Sequence, residues 1–427
     1  MEQPSILLVS GYEGGVQPLS IGTAAAHFIR AGFQPACLDL FVDRGCGEHL
    51  VEDVDLIAIS MQLFQSVAPG VEFAKLARLH NPHTTIVMFG QHAAIHAERL
   101  LESYCDYVIR GDWEPTLVAL TRHLAGESIP VDLPGLCRRG TLVPPYIHRT
   151  DYLPPMRHLL PHLSNYTYPE LKLFSTRCGE THIVGNIETT RGCHHACSYC
   201  SVFAATGRKV NFIPQSVVMD DIRHVVEAGA SHIYFADAEF LNSKLHGLRI
   251  VREMKEEFSN LTFDITTRAD HIHEAKDVIR ELRDLGCEFV TSAFEFPSQR
   301  VLDAVNKDLT MEDIEKAVAF CQDIDLSINA TFIPFNPWVS LGELERFREW
   351  VDGVGLSDTT NPIQYETRLY LYKGSPLLEH PDIQRLRLTE CEFHFEWGHP
   401  DPLVDQLFAE IATPPEEGVF KRCCIKC

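Results

Sequence analysis

The feature that most constrains the fold is a repeated alternation of short apolar runs with longer segments of helical periodicity. In residues 1–125 the apolar runs SILLVSG, VDLIAISM, TIVMFGQ and CDYVIRG are each followed by a helical segment. Uninterrupted apolar runs of this length are typical of strands buried on both faces of a parallel sheet. We therefore predict an α/β fold that begins with a Rossmann-like, open parallel sheet, whose ligand edge lies at the carboxyl ends of the strands.

A second series of the same kind begins near residue 181. Six strand-like runs, from THIVGNIETT to IQYETRLYLY, alternate with helical segments in residues 181–380. Repeated βα units predict a partial (β/α)6 barrel, with its chemistry at the C-terminal ends of the strands. Residues 126–180 are rich in Pro, Arg and His and are interpreted as a linker. We predict that residues 381–427 form an extended or mobile C-terminal tail.

Charge excludes several classes of partner. The chain carries 59 acidic and 37 basic residues, a formal net charge of -22. Such a balance disfavours nucleic acid and anionic membrane surfaces, which need basic patches. The N-terminus lacks the basic and apolar regions of a signal peptide, and no apolar run approaches the roughly 18 residues of a spanning helix. We expect a cytoplasmic protein with neither nucleic acid nor membrane as a partner.

The cysteines are therefore interpreted as thiols and not as a disulfide framework. The chain has 14 of them, and six lie in two tight groups. The other eight are scattered, and each is interpreted as a small buried hydrophobic residue. These eight are Cys37, Cys46, Cys105, Cys137, Cys178, Cys287, Cys321 and Cys391.

The first group is Cys193, Cys197 and Cys200, a CxxxCxxC motif that follows the first predicted strand of the barrel. Three thiolates on a short loop can hold three irons of a cubane 4Fe-4S cluster, which leaves the fourth iron open to substrate. A zinc site is the alternative, with His194 or His195 as its fourth ligand.

At these residues the sequence resembles the radical S-adenosylmethionine (SAM) superfamily, in which an aromatic residue such as Tyr199 precedes the last cysteine. The resemblance implies that the open iron binds the amino and carboxylate groups of SAM and that an electron then cleaves a carbon–sulfur bond. It implies an electron donor such as a flavodoxin or ferredoxin as a partner. Residues at the barrel strand ends are then implied to contact SAM: Asp237 and Glu239 (amine), Arg268 (carboxylate), Glu295 (nucleotide), and Asn329 and Thr331 (ribose or adenine). Tyr199 of the motif is implied to contact SAM as well.

The N-terminal domain resembles the cobalamin-binding-type domain that one radical SAM subgroup carries before its barrel. The sequence departs from the usual soluble cobalamin module, since no DxHxxG follows the first strand and no histidine ligand to cobalt is evident. Many members of the subgroup lack that motif and still bind cobalamin. Cobalamin is therefore expected as an optional cofactor and not as a required one.

The second group is Cys423, Cys424 and Cys427 at the C-terminus, flanked by Arg422 and Lys426. Nearby positive charge lowers the pKa of a thiol, so reactive thiols are expected. They could ligate a second iron–sulfur cluster, form a redox pair, be incidental, or bind a soft ion. Three thiolates suit a soft centre such as trivalent arsenic, which takes three sulfurs in a pyramid.

An RCCxKC ending together with CxxxCxxC is similar to the radical SAM enzymes of arsinothricin biosynthesis. The resemblance implies transfer of the 3-amino-3-carboxypropyl group of SAM to arsenite, or to a thiol-bound trivalent arsenic, to form hydroxyarsinothricin. It implies that the three tail cysteines bind the arsenic. Two other functions stay open. One is a cobalamin-dependent radical SAM methyltransferase acting on a small molecule or peptide, and the other is a non-catalytic metalloid-binding protein.

Overall fold

The computed structural model describes residues 3–43, 48–130, 132–147, 151–166, 168–174 and 182–412. Contacts divide the chain into two compact units. The first comprises residues 1–167, 183–187 and 205–230, and the second comprises 168–182, 188–204 and 231–427. The contacts therefore place two segments of the predicted barrel, 183–187 and 205–230, in the first unit. The predicted domain limits themselves stay predictions.

The first unit contains the predicted open parallel sheet. Its six strands have the spatial order β2-β1-β3-β4-β5-β6, and all neighbours are parallel except β5 and β6. The strands are β1 (Ile6–Ser10), β2 (Pro35–Asp39), β3 (Leu56–Ser60), β4 (Thr85–Phe89), β5 (Tyr107–Ile109) and β6 (Leu136–Arg138), and the helices are α1 (Leu19–Arg30), α2 (Glu48–Val51), α3 (Val67–His80), α4 (Gln91–Ile95), α5 (Ala97–Ser103) and α6 (Glu114–Leu124).

The strands of this sheet are buried as their sequences predict. Every residue of β1 and β3 is buried, and Phe28 of α1 packs in one apolar cluster with Leu8 and Ala58. The antiparallel edge strand β6 comes from the segment that was interpreted as a linker. Part of that segment is therefore a component of the first sheet.

Arg157, from the same predicted linker, is a buried centre of hydrogen bonding in the first unit. Its guanidinium donates to both carboxylate oxygens of Asp221 at 2.8 Å, and further bonds go to the Gln17 side chain and to Asn186. A buried charge is tolerated only when it is paired and hydrogen-bonded in this way. The pairing explains why a polar segment is held inside a packed domain.

The second sheet has five strands in the order β13-β12-β11-β10-β7, with parallel register throughout β10 to β13. The elements from residue 168 to 353 are α7 (Pro169–Phe174), β7 (Val184–Ile187), β8 (Thr190–Gly192), α8 (Ser201–Thr206), β9 (Val210–Phe212), α9 (Gln215–Glu227), β10 (His232–Phe235), α10 (Lys244–Glu257), β11 (Thr262–Thr266), α11 (Ala269–Glu274), α12 (Lys276–Asp284), β12 (Cys287–Glu295), α13 (Gln299–Ala304), α14 (Met311–Asp323), β13 (Ser327–Phe332) and α15 (Leu341–Gly353).

The sixth predicted barrel strand is not part of this sheet. Its segment begins with a 3-10 turn at Pro362–Tyr365 and touches the end of β13 only through a single bridge between Phe335 and Arg368. Its last residues, β14 (Leu371–Tyr372), join a separate antiparallel sheet. The pairing of its last two residues with β16 takes them away from β13.

Residues 381–412 are ordered, so the prediction of an extended tail from residue 381 is wrong for them. They form α16 (Pro381–Gln384), β15 (Leu388–Glu390), β16 (His394–Trp397) and α17 (Pro402–Ile411), and β16 is the central strand of the order β14-β16-β15. The guanidinium of Arg368 lies 4.0 Å from the ring centroid of Trp397, which is buried. Aromatic packing of this kind was not evident from a polar, irregular sequence.

Within the described ranges, no helix has both the length and the apolar character needed to cross a membrane.

Candidate functional site

A cavity of about 140 Å³ lies among the C-terminal halves of β10 to β13, within the second unit. The three cysteines of the first motif line it together. Six of the seven residues implied to contact SAM also line it. The structure therefore brings together side chains that are up to 138 positions apart in the sequence. The lining includes Cys193, Cys197, Tyr199, Cys200, Glu239, Arg268, Glu295, Asn329 and Thr331.

The cysteine loop is held by the segment that follows α13. The backbone N–H of Ser198 donates to the carbonyl of Val305 at 3.0 Å, and the Asn306 side chain donates to the carbonyl of Ala196 at 2.7 Å. From the other side, the N–H of Leu377 donates to the Ser198 carbonyl at 3.1 Å. Backbone atoms on both sides of Cys197 are thus fixed before any ligand binds.

The electrostatics of the thiols fit a positively charged centre. Burial raises the pKa of Cys193 to about 11, and the nearby charges of Glu239, Cys200 and Cys197 oppose its ionisation further. Burial also raises the pKa of Cys200. Three buried thiolates without a cation would repel one another, whereas iron ions offset that repulsion and use the thiolates as ligands. The donor set therefore fits a 4Fe-4S cluster.

Asp237 does not line the cavity, although it was implied to contact the SAM amine. Its fully buried carboxylate accepts four hydrogen bonds, from the N–H and the hydroxyl of Thr189 and from the N–H and the hydroxyl of Thr190, at 2.6–3.1 Å. Those threonines lead into the cysteine motif. The arrangement makes Asp237 an anchor for the chain that enters the motif.

Glu239 lines the cavity and is 1% exposed. Burial by itself would raise its pKa, but hydrogen bonds from His271, Thr267 and the N–H of Leu241 outweigh burial and lower the pKa. Nδ1 of His271 lies 3.3 Å from Oε1 of Glu239. Burial would lower the pKa of His271, and the carboxylate raises it instead, so the two groups form an ion pair at the cavity wall.

Arg268 lines the cavity, yet its guanidinium is largely engaged within the protein. It holds Asp270 in a two-pronged ion pair and donates to the carbonyls of Lys307 and Asp308 at 2.6 Å. These bonds use four of the five guanidinium N–H groups, so one remains for a ligand among the described residues. Arg268 can therefore contact the SAM carboxylate through a single N–H and not through two.

Glu295, Lys307 and Tyr199 form a buried group beside the cysteines. Nζ of Lys307 lies 2.6 Å from Glu295 Oε1, and the Tyr199 hydroxyl donates to the same oxygen. Burial would lower the pKa of Lys307, but the carboxylate of Glu295 raises it, so the lysine is charged. Glu295 has a φ of 60°, a left-handed conformation that only a demanding site imposes on a residue other than glycine.

Lys307 was missed by the sequence analysis. It lies in a loop between two helices, where a lysine is usually exposed, and it is 4% exposed here. Its neighbours Asn306 and Asp308 both have a φ of 51°. The left-handed backbone on both sides marks Lys307 as a special position. Because φ cannot be read from the sequence, the sequence carried no usable signal for this lysine.

Asn329 supports the fit of an organic ligand. Its amide nitrogen donates to the Thr291 hydroxyl at 3.2 Å, while its buried Oδ1 has no hydrogen-bond partner among the described residues. A buried acceptor left in this state costs about 1–3 kcal/mol, and a hydroxyl or amine of a bound nucleoside would satisfy it. Asn329 therefore fits the role that the sequence analysis gave it, a contact to the ribose or adenine of SAM.

The resemblance to a cobalamin-binding-type domain points to the strand ends of the first unit as the edge for a ligand. Tyr12, which follows β1, is buried against Phe41 with ring centroids 5.4 Å apart. His92 follows β4, but burial lowers its pKa to about 3 and its ring packs against Phe64 and His96. The described residues of this edge thus have the fold of the module without an exposed histidine for cobalt.

The tail cysteines, Cys423, Cys424 and Cys427, lie outside the described residues, as do Cys46 and Cys178. The arsenic-binding role of the tail thiols therefore stays a prediction.

Comparison with known proteins identifies the domain. Residues 187–351 match the family model for the radical SAM superfamily. The chain is similar to hopanoid C-3 methylase of Methylococcus capsulatus, with 24% identity over 358 residues that cover 81% of this chain and 66% of the methylase. The chain thus spans just under two thirds of that relative.

Two solved structures share the fold. The methyltransferase TsrM of Kitasatospora setae, solved with cobalamin and a [4Fe-4S] cluster, has a TM-score of 0.65 at 17% identity and is similar over 83% of this chain and 70% of its own. The cobalamin-dependent radical enzyme OxsB, solved with aqua-cobalamin, has a TM-score of 0.71 at 16% identity over 96% of this chain and 66% of its own.

The predicted α/β fold class is confirmed, with an open parallel sheet followed by a radical SAM barrel. Residues 187–351 match the radical SAM family model, and such a domain implies a 4Fe-4S cluster and SAM as cofactors. At 16–24% identity, the reactions of the similar proteins do not carry over to this chain.

Proposed function

We propose that the enzyme transfers the 3-amino-3-carboxypropyl group of SAM to trivalent arsenic and so forms hydroxyarsinothricin. The observation that carries the proposal is the presence of two thiol motifs in one chain, a CxxxCxxC loop and the C-terminal run from Arg422 to Cys427. The first motif suits a cluster with one open iron. The second offers three thiolates to a soft centre that prefers three sulfurs.

The overall transfer balances without a net oxidant. The bond between sulfur and the methionyl γ-carbon of SAM breaks, an arsenic–carbon bond forms, and methylthioadenosine leaves. Arsenic rises from the +3 to the +5 state, and the transferred carbon takes up the same two electrons. The cluster that Cys193, Cys197 and Cys200 would hold would supply the single electron that starts cleavage and would take one electron back as arsenic reaches the +5 state. An external donor such as flavodoxin or ferredoxin would reduce the cluster beforehand.

The residues of the cavity bind and orient SAM in this proposal. Asn329 accepts a hydrogen bond from the nucleoside, and one N–H of Arg268 meets the methionyl carboxylate. Glu239 presents a carboxylate to the methionyl amine while His271 holds it ionised. The bond that breaks is the one whose carbon lies opposite the open iron, so orientation and not acid–base chemistry selects the fragment.

The second candidate is a cobalamin-dependent methyltransferase acting on a small molecule or peptide, and the comparisons are nearer to it than to arsenic transfer. The hopanoid enzyme is named a methylase, and both similar structures were solved with cobalamin. In this candidate the first unit binds cobalamin and the tail cysteines are dispensable. The lack of an exposed histidine at the described strand ends of that unit does not decide against it, because many members of the subgroup bind cobalamin without the histidine motif.

One experiment separates the two candidates. Cobalamin-free enzyme with a reconstituted cluster is incubated anaerobically with SAM, a reductant and arsenite, and the products are identified by mass spectrometry. The proposal expects methylthioadenosine and a four-carbon amino acid bonded to arsenic in equal amounts. Products that appear only after cobalamin is added, with S-adenosylhomocysteine as the by-product, would instead establish the methyltransferase.

A further inference from the structure

A cluster of metal-binding side chains lies in the small antiparallel sheet near the C-terminal end of the described chain. It consists of Cys391, His394 and Glu396, whose ligand atoms all lie within 4.8 Å of one another. Cys391 and His394 are half-buried and Glu396 is exposed. From the sequence, Cys391 was interpreted as a small buried hydrophobic residue, but the fold gives it an imidazole and a carboxylate as neighbours.

The backbone places these three side chains on one face. The N–H of Cys391 donates to the carbonyl of His394 at 2.9 Å, which closes a tight turn before β16. His394 and Glu396 are alternate residues of β16, so their side chains leave the same face of the strand. Because β16 is paired on both edges, with β14 and β15, this face cannot twist away.

We propose that Cys391, His394 and Glu396 bind a zinc ion. One thiolate, one imidazole and one carboxylate form a mixed donor set that suits zinc and not magnesium or calcium, which prefer oxygen alone. Zinc bonds of about 2.0–2.3 Å place tetrahedral ligand atoms roughly 3.3–3.8 Å apart. The ligand atoms now lie within 4.8 Å of one another, so a side-chain rearrangement of about 1 Å would close the site. A water molecule would then complete it.

The imidazole of His394 is already oriented. Its ring stacks on Tyr370, with centroids 5.2 Å apart and an interplanar angle of 30°. A ligand that is held in place before the metal arrives loses less entropy on binding, so a supporting contact of this kind strengthens a metal site. Tyr370 precedes β14, the strand that pairs with β16.

The site is connected to the cysteine loop of the radical domain. Tyr372 pairs with His394 across the sheet, and its carbonyl accepts the N–H of Ser375 at 3.1 Å. The Ser375 hydroxyl donates to the carbonyl of Ser198, which lies between Cys197 and Cys200. The proposed zinc therefore braces the strand pair that supports this loop, and its role is structural.

Cobalt, whose absorption reports thiolate ligands, is the probe. Every protein in the experiment is full length and has serine in place of the three tail cysteines, so that the tail binds no cobalt. This protein without further substitution is called the background protein. The cluster is reconstituted first, which occupies Cys193, Cys197 and Cys200, and a chelator removes loose iron. We expect the background protein to bind one equivalent of cobalt with a sulfur-to-cobalt charge-transfer band and the visible bands of a tetrahedral ion.

Substitutions then locate the ion. Cys391→Ser should abolish the charge-transfer band, and His394→Ala should weaken cobalt binding by at least about 100-fold. Glu390→Gln is the matched control, because Glu390 is an exposed carboxylate of the same sheet that pairs with Lys373. The control should bind cobalt as the background does.

Two results would overturn the proposal. One is no saturable cobalt binding by the background protein, and the other is an unchanged charge-transfer band in Cys391→Ser. Should Cys391→Ser fail to retain its cluster, Glu396→Gln takes its place, because that side chain is exposed and its loss does not disturb packing. Unchanged cobalt affinity in both Glu396→Gln and His394→Ala would equally exclude the site.

Discussion

At the scale of single residues, the environments of the cysteines differ in a way that predicts their chemistry. Cys197 lines the cavity with two other thiols. Cys321 is buried in α14, and burial alone raises its pKa to about 12. A thiol in the second environment is inert and acts as a small apolar side chain.

The first prediction follows from this contrast. Cys197→Ala removes one of three protein ligands, so reconstituted protein should hold almost no iron or sulfide and should not cleave SAM. Cys321→Ala, which removes a cysteine of similar burial, should keep both. Iron and sulfide analysis with chromatography of the SAM products gives the answer. A Cys197→Ala protein with a full cluster and normal cleavage would refute the assignment of the motif.

The second prediction concerns the buried pair of Lys307 and Glu295. Lys307→Met leaves the carboxylate buried without its cation, which should cost about 3–5 kcal/mol. For a unit of this size the melting temperature should fall by roughly 6–20 °C. The double variant Lys307→Met/Glu295→Gln removes both charges and should regain more than half of the loss in calorimetry. Equal melting temperatures for the wild type and Lys307→Met would show that Lys307 and Glu295 do not form the ion pair.

Residue roles were predictable where they depend on spacing along the chain. Cys193, Cys197 and Cys200 are close in sequence, so their convergence is local. Lys307 reaches the same cavity from a distant loop, and its burial depends on tertiary packing that no local pattern encodes. The position of Asp237 after β10 was predicted correctly. Its side chain was expected to contact SAM, but it accepts hydrogen bonds from Thr189 and Thr190 instead.

At the scale of elements, the chain that enters the cysteine motif depends on one carboxylate. Asp237 accepts four hydrogen bonds from Thr189 and Thr190, just before β8 and at its first residue. An asparagine presents one oxygen and an NH2 group to the same donors, so some of them lose their acceptor. Each buried donor left unpaired costs about 1–3 kcal/mol.

The third prediction is that Asp237→Asn loosens the motif without removing a cluster ligand. Reconstituted variant should release iron to a chelator at least about 10-fold faster than wild type, which corresponds to the loss of one such bond. Asp277→Asn is the control, because Asp277 is fully exposed on α12. Release at the wild-type rate from Asp237→Asn would mean that the threonines hold the loop unaided.

Helices and strands could be predicted from the periodicity of apolar residues, and less well from amino-acid composition. Continuous apolar runs gave four strands of the first sheet and five of the second. The run IQYETRLYLY contains enough aromatic and β-branched residues to suggest a sixth barrel strand, but the pairing of β14 with β16 places its end in another sheet. Short strands in polar sequence, such as β15, carry no period that would distinguish them from a loop.

At the scale of the whole molecule, the two units raise the question of cobalamin. The first unit has an open sheet that is parallel apart from its edge strand β6, and both similar structures were solved with cobalamin. The fourth prediction is that protein shown by absorbance to contain no cobalamin is fully active in transfer to arsenic. Strict dependence on added cobalamin would reverse the order of the two proposed functions.

From the sequence, trivalent arsenic as the acceptor of the transferred group is only a hypothesis, because the inference rests on residues 422–427 alone. The fold depends on packing along most of the chain, and the comparisons test it, whereas the individual SAM contacts stay predictions. The tail motif has no such framework, and only its three thiols and two cations suggest a ligand. Its role has to be measured on the protein itself.

The most direct measurement is the ratio of arsenic-bound amino acid to methylthioadenosine in wild type and in Cys423→Ser/Cys424→Ser/Cys427→Ser. Both proteins should assemble the cluster, since its ligands are unchanged. Wild type should give the two products in a one-to-one ratio. In the variant the arsenic product should fall by several orders of magnitude, since positioning of reactants can be worth about 7–11 kcal/mol. An unchanged ratio and rate in the variant would contradict the account.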